Sequence, residues 1–85
     1  MALNKAVEFN GIVLDYHKII QIEENYKTNV SVVTMASYVS KAARANNIHG
    51  HFQVYIFNFL TLDLARSDAY SLIKLQNGWS DAIND

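Results

Sequence analysis

The three histidines are the residues whose type and spacing come nearest to a chemical site. His49 and His51 lie two residues apart, so in a β-strand both imidazoles would point to one face, with His17 as a third ligand. Three imidazoles can bind zinc or copper. However, no Asp or Glu lies close to His49 and His51 in the sequence, and the two flank Gly50 in a segment typical of a turn. We therefore interpret them as surface histidines and predict no metal and no cofactor.

Catalytic arrangements are also hard to build from this sequence. His17 follows Asp15 at close spacing, but no serine lies in the glycine-flanked turn that an activated nucleophile occupies. The acidic residues are dispersed, whereas glycoside hydrolysis needs two carboxylates that line one cleft. Gly11, Gly50 and Gly78 are isolated, whereas a phosphate-binding loop needs several glycines between a strand and a helix. We predict that the protein is not an enzyme, with no catalytic residue and no small-molecule substrate.

Length and charge restrict the class of protein. The 85 residues make one domain, residues 1–85, and a chain of this size buries only about 60–65% of its unfolded surface. Domains this small usually add disulfides, a metal, a well-packed core or a partner, and without cysteine self-association is the simplest of these supports. Seven basic residues are scattered among eight acidic ones, which argues against a nucleic-acid partner. Neither a membrane span nor a signal peptide is recognisable in the sequence.

The segment His51–Leu62, HFQVYIFNFLTL, organises the rest of the chain because apolar residues alternate on both of its faces. One face carries Phe52, Val54, Ile56 and Leu60, and the other carries Tyr55, Phe57 and Phe59. A strand with two apolar faces needs cover on both sides. We expect a helix of the same chain to cover one face, and a second sheet or a second copy of the protein to cover the other. The predicted interface consists of four aromatic residues: Tyr55, Phe57, Phe59 and Trp79.

The remaining elements follow from turn signals and periodicity. Asn10-Gly11 between apolar runs predicts a type I′ hairpin that joins a strand at Ala6–Phe9 to one at Ile12 to about Ile22. In strict alternation, Ile20 and Ile22 of the second strand share one face. Residues 23–29 read as a loop, and Val30–Val39 as a third strand that pairs antiparallel with the aromatic strand. Residues 40–50 fit either a loop or a single helical turn.

The C-terminal part predicts one helix. Asp63 is placed to cap a helix that starts near Leu64, and Gly78 is a natural stop. Trp79 and Ile83 lie beyond this stop and either fold back on the sheet or dock on a neighbour. The predicted fold class is α+β, an antiparallel sheet of about four strands followed by one C-terminal helix.

Three short motifs resemble a known group of proteins. The segments are Asn10–Ile19 (NGIVLDYHKI), Ser37-Tyr38 and Ala69–Lys74 (AYSLIK). They resemble small proteins encoded in tail and baseplate gene modules of phages and prophages of Gram-positive bacteria. In that group a Gly-Ile/Val start leads into Tyr-His-(Lys/Arg)-Ile, a Ser-Tyr pair follows, and an Ala-Tyr-x-x-(Leu/Ile)-Lys helix comes near the end. The middle of this chain departs from the group, because KAARANNIHG carries fewer charges.

The resemblance implies a non-enzymatic structural or assembly protein, either a tail component or an assembly chaperone. Such a protein would work in the host cytoplasm or in the virion, through homo-oligomerisation and contacts with other phage structural proteins. The resemblance assigns no catalytic residue. It makes Tyr16 and His17 the positions whose substitution would be most informative. The residues themselves leave an alternative open, a small regulatory or nucleic-acid-binding module that uses the aromatic strand.

Overall fold

The computed structural model describes residues 1–85 and contains one antiparallel sheet with two short helices. The elements are β1 (Leu3–Phe9), β2 (Ile12–Asn25), β3 (Val30–Tyr38), α1 (Lys41–Asn46), β4 (Gln53–Phe59), α2 (Arg66–Lys74) and β5 (Ile83–Asn84). In the sheet the strands lie in the order β4-β3-β2-β1-β5. The predicted α+β class is confirmed, but five strands and two helices replace the predicted four and one. Neither helix is long and apolar enough to cross a membrane.

The first hairpin forms where the sequence predicts it. Asn10 and Gly11 have φ values of 50° and 82°, and a type I′ turn requires a positive φ at both positions. The predicted loop at 23–29 is wrong in its first half, because residues 23–25 continue β2 and pair with residues 30–32 of β3. The prediction failed because residues 23–25 are polar, and polar runs are typical of loops. Glu24 accepts hydrogen bonds from the Tyr26 hydroxyl and from the backbone N–H of Asp63, so it is a strand residue with polar partners.

A β-bulge at Ile20 changes which side chains of β2 reach the core. Ile19 pairs with Met35 and Gln21 pairs with Thr34, so Ile20 has no partner across the ladder. As a result Ile19 and Ile22 both pack in the core, whereas strict alternation placed Ile20 with Ile22. Ile20 is instead 47% exposed. An extra residue of this kind reverses the alternation of side chains between the two faces of the sheet beyond it. The apolar pattern of the sequence does not reveal such a bulge.

Helix α2 covers one face of the sheet, which we call the helix-side face; the opposite one is the open face. Its Ala69, Tyr70 and Ile73 join a core that also contains the following residues: Leu3, Ile19, Val33, Met35, Trp79 and Ala82. The predicted cap at Asp63 is wrong, because Asp63 has φ 54° and the helix begins at residue 66 without a side-chain cap. The helix ends at Lys74, so Gly78, with φ 89°, belongs to the turn beyond it.

The two segments that the sequence left open are both ordered into elements. Residues 41–46 form α1, and the Ser40 side chain accepts a hydrogen bond from the Ala43 N–H at 3.1 Å, as an N-cap residue does. The C-terminal residues fold back on the sheet, where Ile83 and Asn84 form β5 beside β1. This confirms the first of the two alternatives predicted for the end of the chain.

Candidate functional site

The four predicted interface residues lie together on the helix-side face. The ring centroid of Trp79 is 5.2 Å from that of Tyr55 and 6.5 Å from that of Phe57, with the rings nearly perpendicular. Phe57 and Phe59 stack at 6.2 Å with an interplanar angle of 8°. Trp79 is 7% exposed, and the three strand rings are partly buried against the core. The cover that we expected from a second copy is therefore supplied on this face by the subunit's own C-terminal residues.

The open face is covered only at one end. There Ala36 and Tyr38 belong to a second buried cluster, and the Tyr38 hydroxyl donates a hydrogen bond to the Ile48 carbonyl oxygen. Val54 and Ile56 project to the open face from β4 and are 43% and 64% exposed. The apolar pattern of this strand predicts two faces that need cover. The helix-side face is the aromatic one, which we expected a second copy to cover. The uncovered apolar surface of β4 is thus the Val54–Ile56 side rather than the aromatic side.

The outer edge of β4 is also uncovered. The strand lies at one end of the sheet order and pairs only with β3. Its seven residues, QVYIFNF, include no charged residue and no proline, and its pairing with β3 runs without a bulge. Natural proteins usually protect edge strands with charges, proline, bulges or short length. None of these protections is present in β4.

The opposite edge of the sheet carries the protections that β4 lacks. Strand β5 at that edge has only two residues. Strand β1 behind it contains Lys5 and Glu8, and its pairing with β2 is interrupted by a register shift between Asn4 and Val7. The two edges therefore differ in their capacity to accept another strand, and β4 is the candidate interaction site.

The buried imidazole of His17 is held by contacts within the sheet. It is fully buried, with Nε2 2.7 Å from the Lys5 carbonyl oxygen and Nδ1 2.7 Å from Ser37 Oγ. Since a carbonyl oxygen only accepts, Nε2 must carry the proton and donate it, and Nδ1 then accepts from the Ser37 hydroxyl. The ring also contacts Trp79 edge-on, with centroids 4.9 Å apart. Burial lowers the pKa of this imidazole, which favours its neutral form.

The three histidines do not converge. Both ring nitrogens of His17 are occupied within the sheet, whereas His49 and His51 are exposed in the connection after α1. No group of three or more His, Cys, Asp or Glu side chains is placed to hold a metal ion. The metal site weighed from sequence spacing therefore has no geometric basis.

The three motifs of the phage resemblance lie on neighbouring elements, β2, β3 and α2. Tyr16 pairs with Tyr38 across the ladder, with ring centroids 6.4 Å apart, and His17 pairs with Ser37. The Tyr70 hydroxyl accepts a hydrogen bond from the Ile19 N–H at 2.7 Å. These contacts give the motif residues a role in packing.

Comparison of the chain with protein-family models, characterised proteins and solved structures finds no match. The resemblance to phage tail-module proteins therefore stays a prediction.

A pocket that the sequence did not indicate opens where β2 continues past its last pair with β1. Its volume is about 410 Å³, and it is lined by residues of β2, of α2 and of the segment 44–51. The lining residues are Lys18, Ile19, Ile20, Arg44, Ile48, His49, His51 and Arg66. The cations among them are more than 20 positions apart in the sequence, so no local motif announces the site.

The free energy of unfolding is expected to fall as the pH is lowered below 6.5, the ordinary pKa of histidine. Burial lowers the pKa of His17 in the folded state, so below pH 6.5 the unfolded chain binds a proton that the folded chain does not. The contribution of His17 is then complete above pH 6.5 and is lost between this value and the folded-state pKa, by at most about 1.4 kcal/mol per pH unit. Urea unfolding between about pH 8 and pH 5 measures this slope.

Further comparisons assign the slope to His17. The pKa of the Met1 amino group is also lowered, from 8.0, and would add a slope of the same sign, so the measurement uses N-terminally acetylated protein. A hydrogen bond from Lys5 lowers the pKa of Asp81, but this carboxyl titrates below its ordinary value of 3.8 and so outside the window. Replacing both exposed histidines, as His49→Gln with His51→Gln, should leave the slope unchanged. A slope that disappears in this double variant would contradict the assignment.

Proposed function

We propose that this chain is a non-enzymatic, phage-derived structural or assembly protein that acts through homo-oligomerisation at the free edge of β4. The observation that carries the proposal is the lack of charge, proline and bulge along the seven residues of this edge. An edge of this kind readily adds a further strand from another polypeptide. The three tail-module motifs support the phage setting, and inspection of the flanking genes tests that part independently.

A second copy of β4 fits this edge well. Antiparallel pairing around a two-fold axis at Ile56 would set Tyr55 opposite Phe57 of the partner subunit, and Val54 opposite Asn58 of the partner subunit. The aromatic line on the helix-side face would then continue across the axis, and the exposed apolar side chains of the open face would meet. No charged residue would face another, because β4 contains none. Cross-strand aromatic and β-branched pairs of this kind stabilise a sheet.

The size of the contact sets the expected affinity. One seven-residue strand covers less than the about 800 Å² per partner of a standard interface. We therefore expect a micromolar dissociation constant. Sedimentation equilibrium or light scattering across the micromolar range should show the transition between monomer and dimer.

An Ile56→Lys variant should dissociate the dimer while the subunit stays folded. Ile56 is 64% exposed, so the lysine costs the monomer little, but in the dimer two lysines would stand opposite each other. We expect the dissociation constant to rise at least about tenfold. The measurement is sedimentation equilibrium, with thermal unfolding of the same sample to verify the fold.

Ile83→Lys is the matched control for this experiment. Ile83 is 66% exposed and lies in β5 at the other edge of the sheet. It should leave the dissociation constant unchanged. The proposal fails if the wild-type protein stays monomeric throughout the concentration range, or if Ile83→Lys dissociates the dimer and Ile56→Lys does not.

A further inference from the structure

Three cationic side chains converge on one pocket, although the chain has a net charge of −1. Lys18 comes from β2, Arg44 from α1 and Arg66 from the first position of α2, and all three line the cavity of about 410 Å³. They are three of the seven basic residues of the chain. No acidic side chain lines the cavity, and His49 and His51 add two further polar groups. The pocket therefore concentrates positive charge that the sequence as a whole does not show.

The positive groups are not neutralised within the subunit. The two salt bridges of the structure join Lys5 to Asp81 and Lys41 to Asp85, and neither involves a residue of the pocket. The Nε of Arg44 is buried and has no hydrogen-bond partner. A donor of a charged group is costly to leave unpaired when it is buried, so the guanidinium of Arg44 is not fully satisfied within the subunit.

The amino group of Met1 lies close to two cations of the pocket. The charge of Lys18 is the main cause that lowers the pKa of the Met1 amino group, and Arg66 contributes in the same direction. Asp85 acts oppositely on this amino group, but its carboxylate is already paired with Lys41. The positive charge of Lys18 and Arg66 therefore extends to the amino terminus, where Lys18 Nζ also donates a hydrogen bond to the Met1 carbonyl oxygen.

We infer that this pocket binds a small molecule that combines a phosphate or carboxylate group with an apolar part. Guanidinium groups are suited to such oxygens because their planar fork can donate two parallel hydrogen bonds. The apolar part would contact the two exposed isoleucines of the lining, Ile20 and Ile48, since Ile19 packs in the core. A volume of about 410 Å³ lies within the range of small-molecule sites. No residue of β4 lines the pocket, so this site is independent of the proposed self-association.

Titration of the full chain with phenyl phosphate, followed by backbone amide NMR, tests the inference. Chemical-shift changes are expected at residues 18–20, 44, 48–51 and 66. Inorganic phosphate should bind more weakly than phenyl phosphate, and benzyl alcohol should not bind, since it keeps the ring and lacks the anion. Benzoate in place of phenyl phosphate distinguishes a carboxylate site from a phosphate site.

The variants Arg44→Gln and Lys18→Gln should each weaken phenyl phosphate binding about tenfold or more, through loss of a charge-assisted hydrogen bond. Lys74→Gln is the control, because it removes one charge from the other end of α2, outside the pocket, and should change nothing. Equal affinity of all three variants for phenyl phosphate would overturn the inference. Chemical-shift changes near every lysine of the chain, rather than at the pocket, would also overturn it. Much tighter binding of a single-stranded oligonucleotide, with a steep salt dependence, would overturn it in favour of nucleic acid.

Discussion

A Trp79→Ala variant is expected to lose about 3–5 kcal/mol of unfolding free energy, a large part of the about 5–15 kcal/mol that holds a domain together. Trp79 is 7% exposed and lies at the centre of the aromatic cluster, edge-on to His17 at 4.9 Å and to Tyr55 at 5.2 Å. Alanine would leave a cavity between the C-terminal segment and the sheet. Urea unfolding followed by far-ultraviolet circular dichroism measures the loss, since the fluorescent side chain is removed.

The control for this experiment is Leu75→Ala, which truncates an apolar side chain that is 80% exposed. Its unfolding free energy should stay within about 0.5 kcal/mol of the wild type. The sequence predicted Trp79 as an interface residue, and the two roles give different results. A Trp79→Ala protein that dissociates but unfolds at the wild-type urea concentration would assign Trp79 to the interface.

A Phe57→Asp variant is expected to unfold the subunit rather than only to separate copies. Phe57 is partly buried between Tyr55 and Phe59 and pairs across the ladder with the fully buried Val33. A carboxylate at this position faces apolar and aromatic groups and finds no partner there. We expect a loss of about 3–5 kcal/mol, measured by thermal and urea unfolding.

Asn58→Asp is the matched control for Phe57→Asp. It places the same charge one residue further along β4, at an exposed position on the open face. The monomer should keep its stability within about 0.5 kcal/mol. If Phe57→Asp and Asn58→Asp unfold at the same urea concentration, the aromatic face of β4 is not part of the core.

Local rules predicted the sheet well where local chemistry decides the structure. Asn10-Gly11 specifies its turn because both residues accept a positive φ, and the β-branched run of β3 specifies a strand. The failures have longer-range causes. The bulge at Ile20 depends on the register between β2 and β3, and β2 extends through Asn25 because β3 pairs with it. Helix α2 starts late because the left-handed backbone of Asp63 interrupts the chain before it.

The candidate sites were harder to predict than the fold. Strand β4 is apolar on both faces, so its pattern cannot tell which face the subunit covers; the answer depends on where Trp79 returns to the sheet. The pocket escaped prediction for a related reason. Lys18, Arg44 and Arg66 look dispersed along the chain, and this dispersion argued against a nucleic-acid partner, whereas the expectation of no small-molecule substrate rested on the isolated glycines and the missing catalytic arrangements. Only the fold brings the three cations together, so the sequence alone does not indicate the proposed ligand site.

The difference between the two borders of the sheet has a consequence for growth of an assembly. A chain that could add strands at both borders would propagate without limit, as amyloid fibres do. Here β5 and the charged, bulged β1 terminate one side, so only the border at β4 can extend. Two-fold pairing consumes that border in both copies and leaves nothing to propagate. In the proposed dimer, strand addition would therefore end in a closed pair, and any larger ring would have to be built from other surfaces of that pair.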